Sequence, residues 1–126
     1  MIYGIGTDIV ESSRIAHSLE KYGERFARRL LAEQEWPDYI KNNRPAMFLA
    51  KRFAAKEALS KAMGTGLRFP VTLNNIAVDH TPLGQPYFQF HPELAKLLQS
   101  EGIIGHHLSL SDEINLASAF VILEKA

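Results

Sequence analysis

The chain has 126 residues, 46% of them apolar, and 14 Lys and Arg balance 14 Asp and Glu, so its formal charge is zero. That length suits one domain whose core needs no staples, and the charge balance disfavours a general nucleic-acid binder. Cysteine is absent, which excludes disulfides, thiol catalysis and thiolate zinc sites.

No apolar run approaches membrane-spanning length. The opening Met-Ile-Tyr-Gly-Ile-Gly lacks the basic n-region and long apolar stretch of a signal peptide. A soluble protein of the cytoplasm, with no membrane partner, is expected. Ile2 to Glu11 reads as a strand. Tyr3, Ile5, Thr7 and Ile9 alternate onto one face, and Gly4, Gly6, Asp8 and Val10 occupy the other. Glycines inside a strand mark close approach of a ligand or another backbone. Asp8 therefore lies on a bared face. It could instead cap the next helix, although Ser12 and Ser13 suit that purpose better.

Ser13 to about Tyr22 reads as a helix with Ile15, Ala16 and Leu19 facing inward, broken by Gly23. Glu24 to Leu31 continues as a second helix or a bent extension. Arg14, Lys21, Arg25, Arg28 and Arg29 set five cations against Glu20 and Glu24. On a continuous helix, Arg14, Lys21, Arg25 and Arg28 would share a face. That face is either simply solvated or a docking stripe for an acidic partner. Glu33 to Asn42 reads as a short helix with Pro37 in its first turn, offering Trp36, Tyr39 and Ile40 to the core.

Pro45 to Met63 is rich in Ala, Leu, Lys, Glu and Met, strong helix formers. Pro45 suits the first turn and Gly64 the left-handed stop. Ala50, Ala54, Ala58 and Ala62 repeat every fourth residue, making a flat strip for a close neighbour. Ala55, Leu59 and Met63 form a second apolar strip. Phe53, Glu57 and Lys61 share another face, with Arg52, Lys56 and Ser60 beside them. Glu57–Lys61 is either a plain i,i+4 pair or part of a site where Glu57 holds a cation and the basic residues hold phosphate. The second reading needs another carboxylate, and Asp8 is the candidate.

Gly64-Thr65-Gly66 is a turn whose backbone N–H groups could reach an anion. Asn75 to His80 and Pro86 to His91 read as a hairpin around Thr81-Pro82-Leu83-Gly84, and Pro92 to Glu101 as a helix ended by Gly102. His107 to Ser111 alternates, with Leu108 and Leu110 inward and His107, Ser109 and Ser111 on the opposite face. It forms a hairpin with a final strand, Leu116 to Leu123. His106 points the other way. No nucleophile elbow, P-loop or dinucleotide fingerprint is present.

The segments Gly-Ile-Gly-Thr-Asp-Ile-Val-Glu, Arg-Phe-Ala-Ala-Lys-Glu-Ala-Leu-Ser-Lys-Ala, Gly-Thr-Gly, Gly-Gln-Pro and His-Leu-Ser-Leu-Ser occur in this order. The pattern, over essentially the whole chain, resembles the holo-[acyl-carrier-protein] synthases, the short bacterial class of 4′-phosphopantetheinyl transferases. The fold this implies is α+β: a single domain over residues 1–126, mostly antiparallel sheet packed on one long helix and shorter helices. The implied reaction moves 4′-phosphopantetheine from coenzyme A to a serine of apo acyl carrier protein, with Mg²⁺ as the metal, in fatty acid biosynthesis.

By the same resemblance, Asp8 and Glu57 are the expected metal ligands. Lys61 should meet a phosphate or the leaving group, and Arg44 and Arg52 the nucleotide's phosphates. Gly64, Thr65, Gly66 and Pro86 shape the coenzyme pocket, and His107 and Ser109 face the nucleotide. The base is Glu57, directly or through a metal-bound water, or else His107. Members of this size class are homotrimers with active sites between subunits, and carrier proteins are acidic. Arg14, Lys21, Arg25 and Arg28 would then be the docking stripe. A non-catalytic coenzyme A-binding module would not need Asp8 and Glu57 together, and a metal-dependent nucleotide pyrophosphatase would want more carboxylates or histidines.

Overall fold

A computed structural model describes residues 1–126. In chain order it places β1 (Ile2–Glu11), α1 (Ser12–Tyr22), α2 (Glu24–Leu30), a 3-10 turn (Glu33–Glu35), α3 (Trp36–Lys41) and α4 (Pro45–Met63). There follow a 3-10 turn (Leu73–Asn75), β2 (Ile76–His80), β3 (Pro86–Phe90), α5 (Pro92–Ser100), β4 (Ile103–Asp112) and β5 (Leu116–Lys125). The architecture is α+β. One antiparallel sheet runs β1-β5-β4, and β2 and β3 form a separate hairpin. One cluster of 26 buried apolar residues joins these elements.

The axis of the molecule is α4 lying across the inner face of the three-stranded sheet. The alanine strip allows this. Ala50, Ala54 and Ala58 are fully buried, and β1 meets them with glycine. A Cβ on Gly6 would fall 1.9 Å from the Ala58 carbonyl oxygen, and one on Gly4 would fall 2.0 Å from that of Ala62. No side chain fits there, so strand and helix backbones touch. Asp8 follows two residues later on the same face of β1, which brings its carboxylate to the helix. Gly64 ends α4 with φ 79°, donating its N–H to the Lys61 carbonyl oxygen.

Several local expectations are corrected. The start of α1 carries no side-chain cap. The Ser12 N–H instead donates to the Asn115 carbonyl oxygen at 2.9 Å, tying the helix start to the β4–β5 turn. Ile15 is buried, but Ala16 is exposed, because α1 rests on α4 through a narrower stripe than three residues. Ile40 also faces solvent, 65% exposed, while Trp36 and Tyr39 pack on the core. β4 begins at Ile103, and β5 extends to Lys125. A register shift between Ile103 and Gly105 interrupts the pairing there, and so hides the period-2 pattern in the sequence.

Candidate active site

Asp8 and Glu57 line one cleft of about 660 Å³, together with Ser13, Arg14, His17 and Phe53. β1 supplies Asp8 and α4 supplies Glu57, so the glycine–alanine contact sets their approach. Burial pushes the Glu57 carboxyl above its usual range, and the negative charge of Asp8 raises it further against the opposing pull of Lys61. A half-buried carboxyl whose ionisation a neighbouring carboxylate disfavours is a place where a cation is stabilised.

Lys61 lies one turn beyond Glu57. Its Nζ donates to the Thr7 carbonyl oxygen at 2.9 Å and to Asp8 Oδ1 at 3.1 Å. It also borders a shallow recess of about 500 Å³ with Asp8, Ser109 and Ser111. Lys61 keeps about half of its side-chain surface exposed, so this pair holds it loosely and leaves it able to turn toward an incoming anion.

Other expected site residues lie apart from this cleft. Arg44 and Arg52 line a recess of about 320 Å³ with Lys51 and His80. Pro86 stands across the hairpin from His80. Burial, then the positive charge of Arg52, pushes the His80 imidazole below its ordinary value. The recess and the Asp8–Glu57 cleft share no lining residue. His107 is on the sheet's outer face, where its Nε2 meets Glu124 Oε1, and Ser109 shares that face. In the Gly64-Thr65-Gly66 turn, the Gly64 and Gly66 N–H groups are spent on the Lys61 and Ser60 carbonyl oxygens. Thr65 Oγ1 donates to the Gly66 carbonyl oxygen at 2.8 Å. The turn is therefore less open to an anion than its sequence suggests.

The basic residues of the first two helices do not form one continuous stripe, because the chain bends at Gly23 (φ 63°). Arg14 borders the carboxylate cleft, and Arg25 borders a neighbouring recess with Tyr22 and Arg29. Ser18 and Phe26 are common to both depressions. Lys21 lies over the Tyr22 ring, 5.3 Å from its centroid. Arg28 is held by Glu24 at 3.2 Å and covers the Trp36 ring.

Sequence reasoning missed one centre entirely. Glu35, Arg52 and Lys56 are buried together, with Lys56 Nζ 2.5 Å and Arg52 Nη1 3.0 Å from the Glu35 carboxylate. Arg52 and Lys56 were expected beside the charged face of α4. The acidic start of the Glu33–Asn42 segment was the only hint of their partner.

Residues 4–113 match the sequence model of the 4′-phosphopantetheinyl transferase superfamily. The holo-[acyl-carrier-protein] synthase of Nitrosospira multiformis is 72% identical over 125 residues, 99% of this chain and 100% of the relative. That of Nitrosomonas europaea is 64% identical, again over 99% of this chain and 100% of the relative. The crystal structure of the Neisseria meningitidis synthase superimposes with a TM-score of 0.97 at 48% identity, covering 99% of this chain and 100% of that one. The Bacillus anthracis synthase in complex with CoA (3′,5′-ADP) gives a TM-score of 0.83 at 38% identity, covering 100% and 99%. The agreement runs from the first strand to the last, and the carboxylate cleft lies within the matched span: the chain belongs to the 4′-phosphopantetheinyl transferase superfamily, among the holo-[acyl-carrier-protein] synthases.

Proposed function

We propose that this chain transfers the 4′-phosphopantetheine group of coenzyme A to a serine hydroxyl of apo acyl carrier protein, in support of fatty acid biosynthesis. The serine oxygen bonds to the β-phosphorus, the bond from that phosphorus to the bridging oxygen breaks, and adenosine 3′,5′-bisphosphate leaves. The observation that carries this reading is the pair of carboxylates, Asp8 and Glu57, facing one cleft beside Lys61.

The donor set suits Mg²⁺. No cluster of three or more His, Cys, Asp or Glu side chains exists to form an all-protein cage, and Mg²⁺ takes one or two carboxylates and completes its shell with water and substrate phosphates. Asp8 and Glu57 would hold it. When bound, the ion neutralises charge on the pyrophosphate oxygens. Lys61 adds a mobile positive charge beside them. Glu57, in the cleft beside Asp8, is the first candidate to take the serine proton. His107 is the alternative, and Glu124 engages its imidazole in this chain.

Arg44 and Arg52 grip the nucleotide's phosphates, with Gly64, Thr65, Gly66, Pro86, His107 and Ser109 around the coenzyme. These groups are dispersed over one chain, which supports a homotrimer with sites completed between subunits. The outer sheet face supports it too: Ile5 and Ile9 are 58% and 69% exposed there, an apolar surface that assembly would cover. Arg14 and Arg25, with Lys21 and Arg28 flanking, form the docking surface for the acidic carrier protein, and Arg29 joins them. The contiguous core supports reading residues 1–126 as one domain. No helix is long and apolar enough to cross a membrane, in keeping with work in the cytoplasm.

The test is the intact mass of apo acyl carrier protein incubated with this protein, coenzyme A and Mg²⁺. A gain of one phosphopantetheine per carrier is expected. An unchanged carrier, with coenzyme A bound to the protein, would replace the enzyme by a binding module. Arg14→Ala or Arg25→Ala should weaken carrier-protein use and leave coenzyme A binding unchanged; equal loss of both would defeat the docking assignment.

A further inference from the structure

Glu35 is the only buried carboxylate in the chain, and it is saturated. Its Oε1 accepts from the Ala32 N–H at 2.8 Å and from Lys56 Nζ at 2.5 Å. Its Oε2 accepts from Arg52 Nη1 at 3.0 Å and from the Val78 N–H at 2.9 Å. Lys56 is further held by the carbonyl oxygens of Leu30 and Leu73. A carboxylate with four donors has no capacity left for a ligand. Glu35 is therefore not itself a binding group.

Its effect is on Arg52. The Nη1 of Arg52 donates to Glu35 and to the Val78 carbonyl oxygen, so both of its hydrogens point inward. The guanidinium lies 4.4 Å from the Phe48 ring centroid. Glu35 and Arg52 thereby occupy the N–H and C=O that Val78 turns away from its strand partner, and they fix the guanidinium against the edge of β2. No buried side-chain polar atom lacks a partner. The bonds of Arg52 all leave from Nη1, so its Nε and Nη2 are the donors that reach the surface. The surface Arg52 lines is the recess shared with Arg44, Lys51 and His80. The buried cluster also has two cations for one carboxylate, and of the two only Arg52 lines that recess.

We propose that Glu35 is a positioning residue for the nucleotide end of coenzyme A, acting by locking Arg52 so that its outer N–H groups are aimed into the recess before the phosphate arrives. This rests on the reading of Arg52 as a phosphate contact. An arginine held in advance loses less freedom on binding than one free to rotate. Lys56 keeps the carboxylate in place from the opposite side and makes no contact with the recess.

The test is calorimetric titration of adenosine 3′,5′-bisphosphate into the full-length protein carrying Glu35→Asp, Arg52→Ala or both. Glu35→Asp keeps the charge and shortens the reach. It should weaken nucleotide binding about tenfold, the scale of one charged hydrogen bond, and leave affinity for apo acyl carrier protein unchanged. Arg52→Ala should weaken nucleotide binding at least as much, and the double variant should be no weaker than Arg52→Ala alone. Additive losses would mean that Glu35 acts on the fold at large, and would overturn the proposal. Wild-type affinity in Glu35→Asp beside a weak Arg52→Ala would overturn it while sparing the phosphate reading. Wild-type affinity in Arg52→Ala would overturn both. Should Glu35→Asp fail to fold, Glu35→Gln with Lys56→Met removes the buried charge pair together and carries the same expectations.

Discussion

Lys56 and Glu57 are neighbours on α4, yet they belong to two charge clusters built on opposite terms. Lys56 is sealed with Glu35 and Arg52, and each exposed fraction there is a few percent or less. The cluster's one carboxylate accepts four hydrogen bonds and is shared by two cations, and burial pushes the Lys56 ammonium down to about 8. Glu57 opens with Asp8 onto a cleft beside Lys61, where burial and then the charge of Asp8 raise the Glu57 carboxyl. A sealed carboxylate with no spare bonding capacity holds structure. An open cluster with unmet charge is available for chemistry. One helix presents both because residues one apart lie about 100° apart around its axis.

The contrast predicts a separation of effects. Glu35→Ala should be the most damaging to the fold. It strands two buried cations, and its expected cost of about 3–5 kcal/mol would appear as an earlier urea midpoint. A cost below 1 kcal/mol would show that the cluster is not what holds α4 to β2. Glu57→Gln should do the reverse. The rate of transfer should fall about 10²–10³-fold, while the urea midpoint stays at or above wild type, because a carboxyl disfavoured by burial has been made neutral.

Gly6→Ala sharpens the contrast by moving β1 off α4. The added carbon meets the Ala58 carbonyl oxygen, so about 1–3 kcal/mol should be lost, and transfer should fall as Asp8 separates from Glu57. Full activity would show that the Asp8–Glu57 distance is not critical. The smallest effect concerns pH. His106 Nε2 accepts the Phe88 N–H at 3.1 Å, and burial, then His107, lowers its pKa below 6.5. As pH falls through 6.5 the unfolded chain takes up a proton that the folded chain still refuses, so stability should decline until the lower folded value is reached. In His106→Asn this part of the decline should vanish, as read by thermal unfolding across that range.

How much of this could be read from the sequence follows the same division. α4 was legible from end to end, because Pro45, Gly64 and the four-residue alanine repeat are local signals that agree. The alternation around Gly4 and Gly6 placed Asp8 toward a close neighbour, and the structure supplies that neighbour as the backbone of α4. Glu35 was illegible. Its partners Arg52, Lys56 and Val78 lie 17, 21 and 43 residues away, and no local pattern distinguishes it from an acidic residue in a first helical turn. For the same reason Arg52 and Lys56 could be placed on a face of the helix but not assigned to solvent or core. Ala16 and Ile40 were misplaced because periodicity reports which residues share a side and not how wide the covering element is. The face that Arg14 to Arg28 would share on a continuous helix is interrupted by the expected break at Gly23, which separates α1 from α2.

In the proposed function, Asp8 and Glu57 serve the reaction rather than the fold. The most direct measurement is intact-mass analysis of apo acyl carrier protein treated with Asp8→Ala/Glu57→Ala, alongside a thermal unfolding curve of the same sample. A native-like cooperative transition is expected, with no gain of phosphopantetheine when the wild-type reaction is complete. Full transfer by a folded double variant would contradict it.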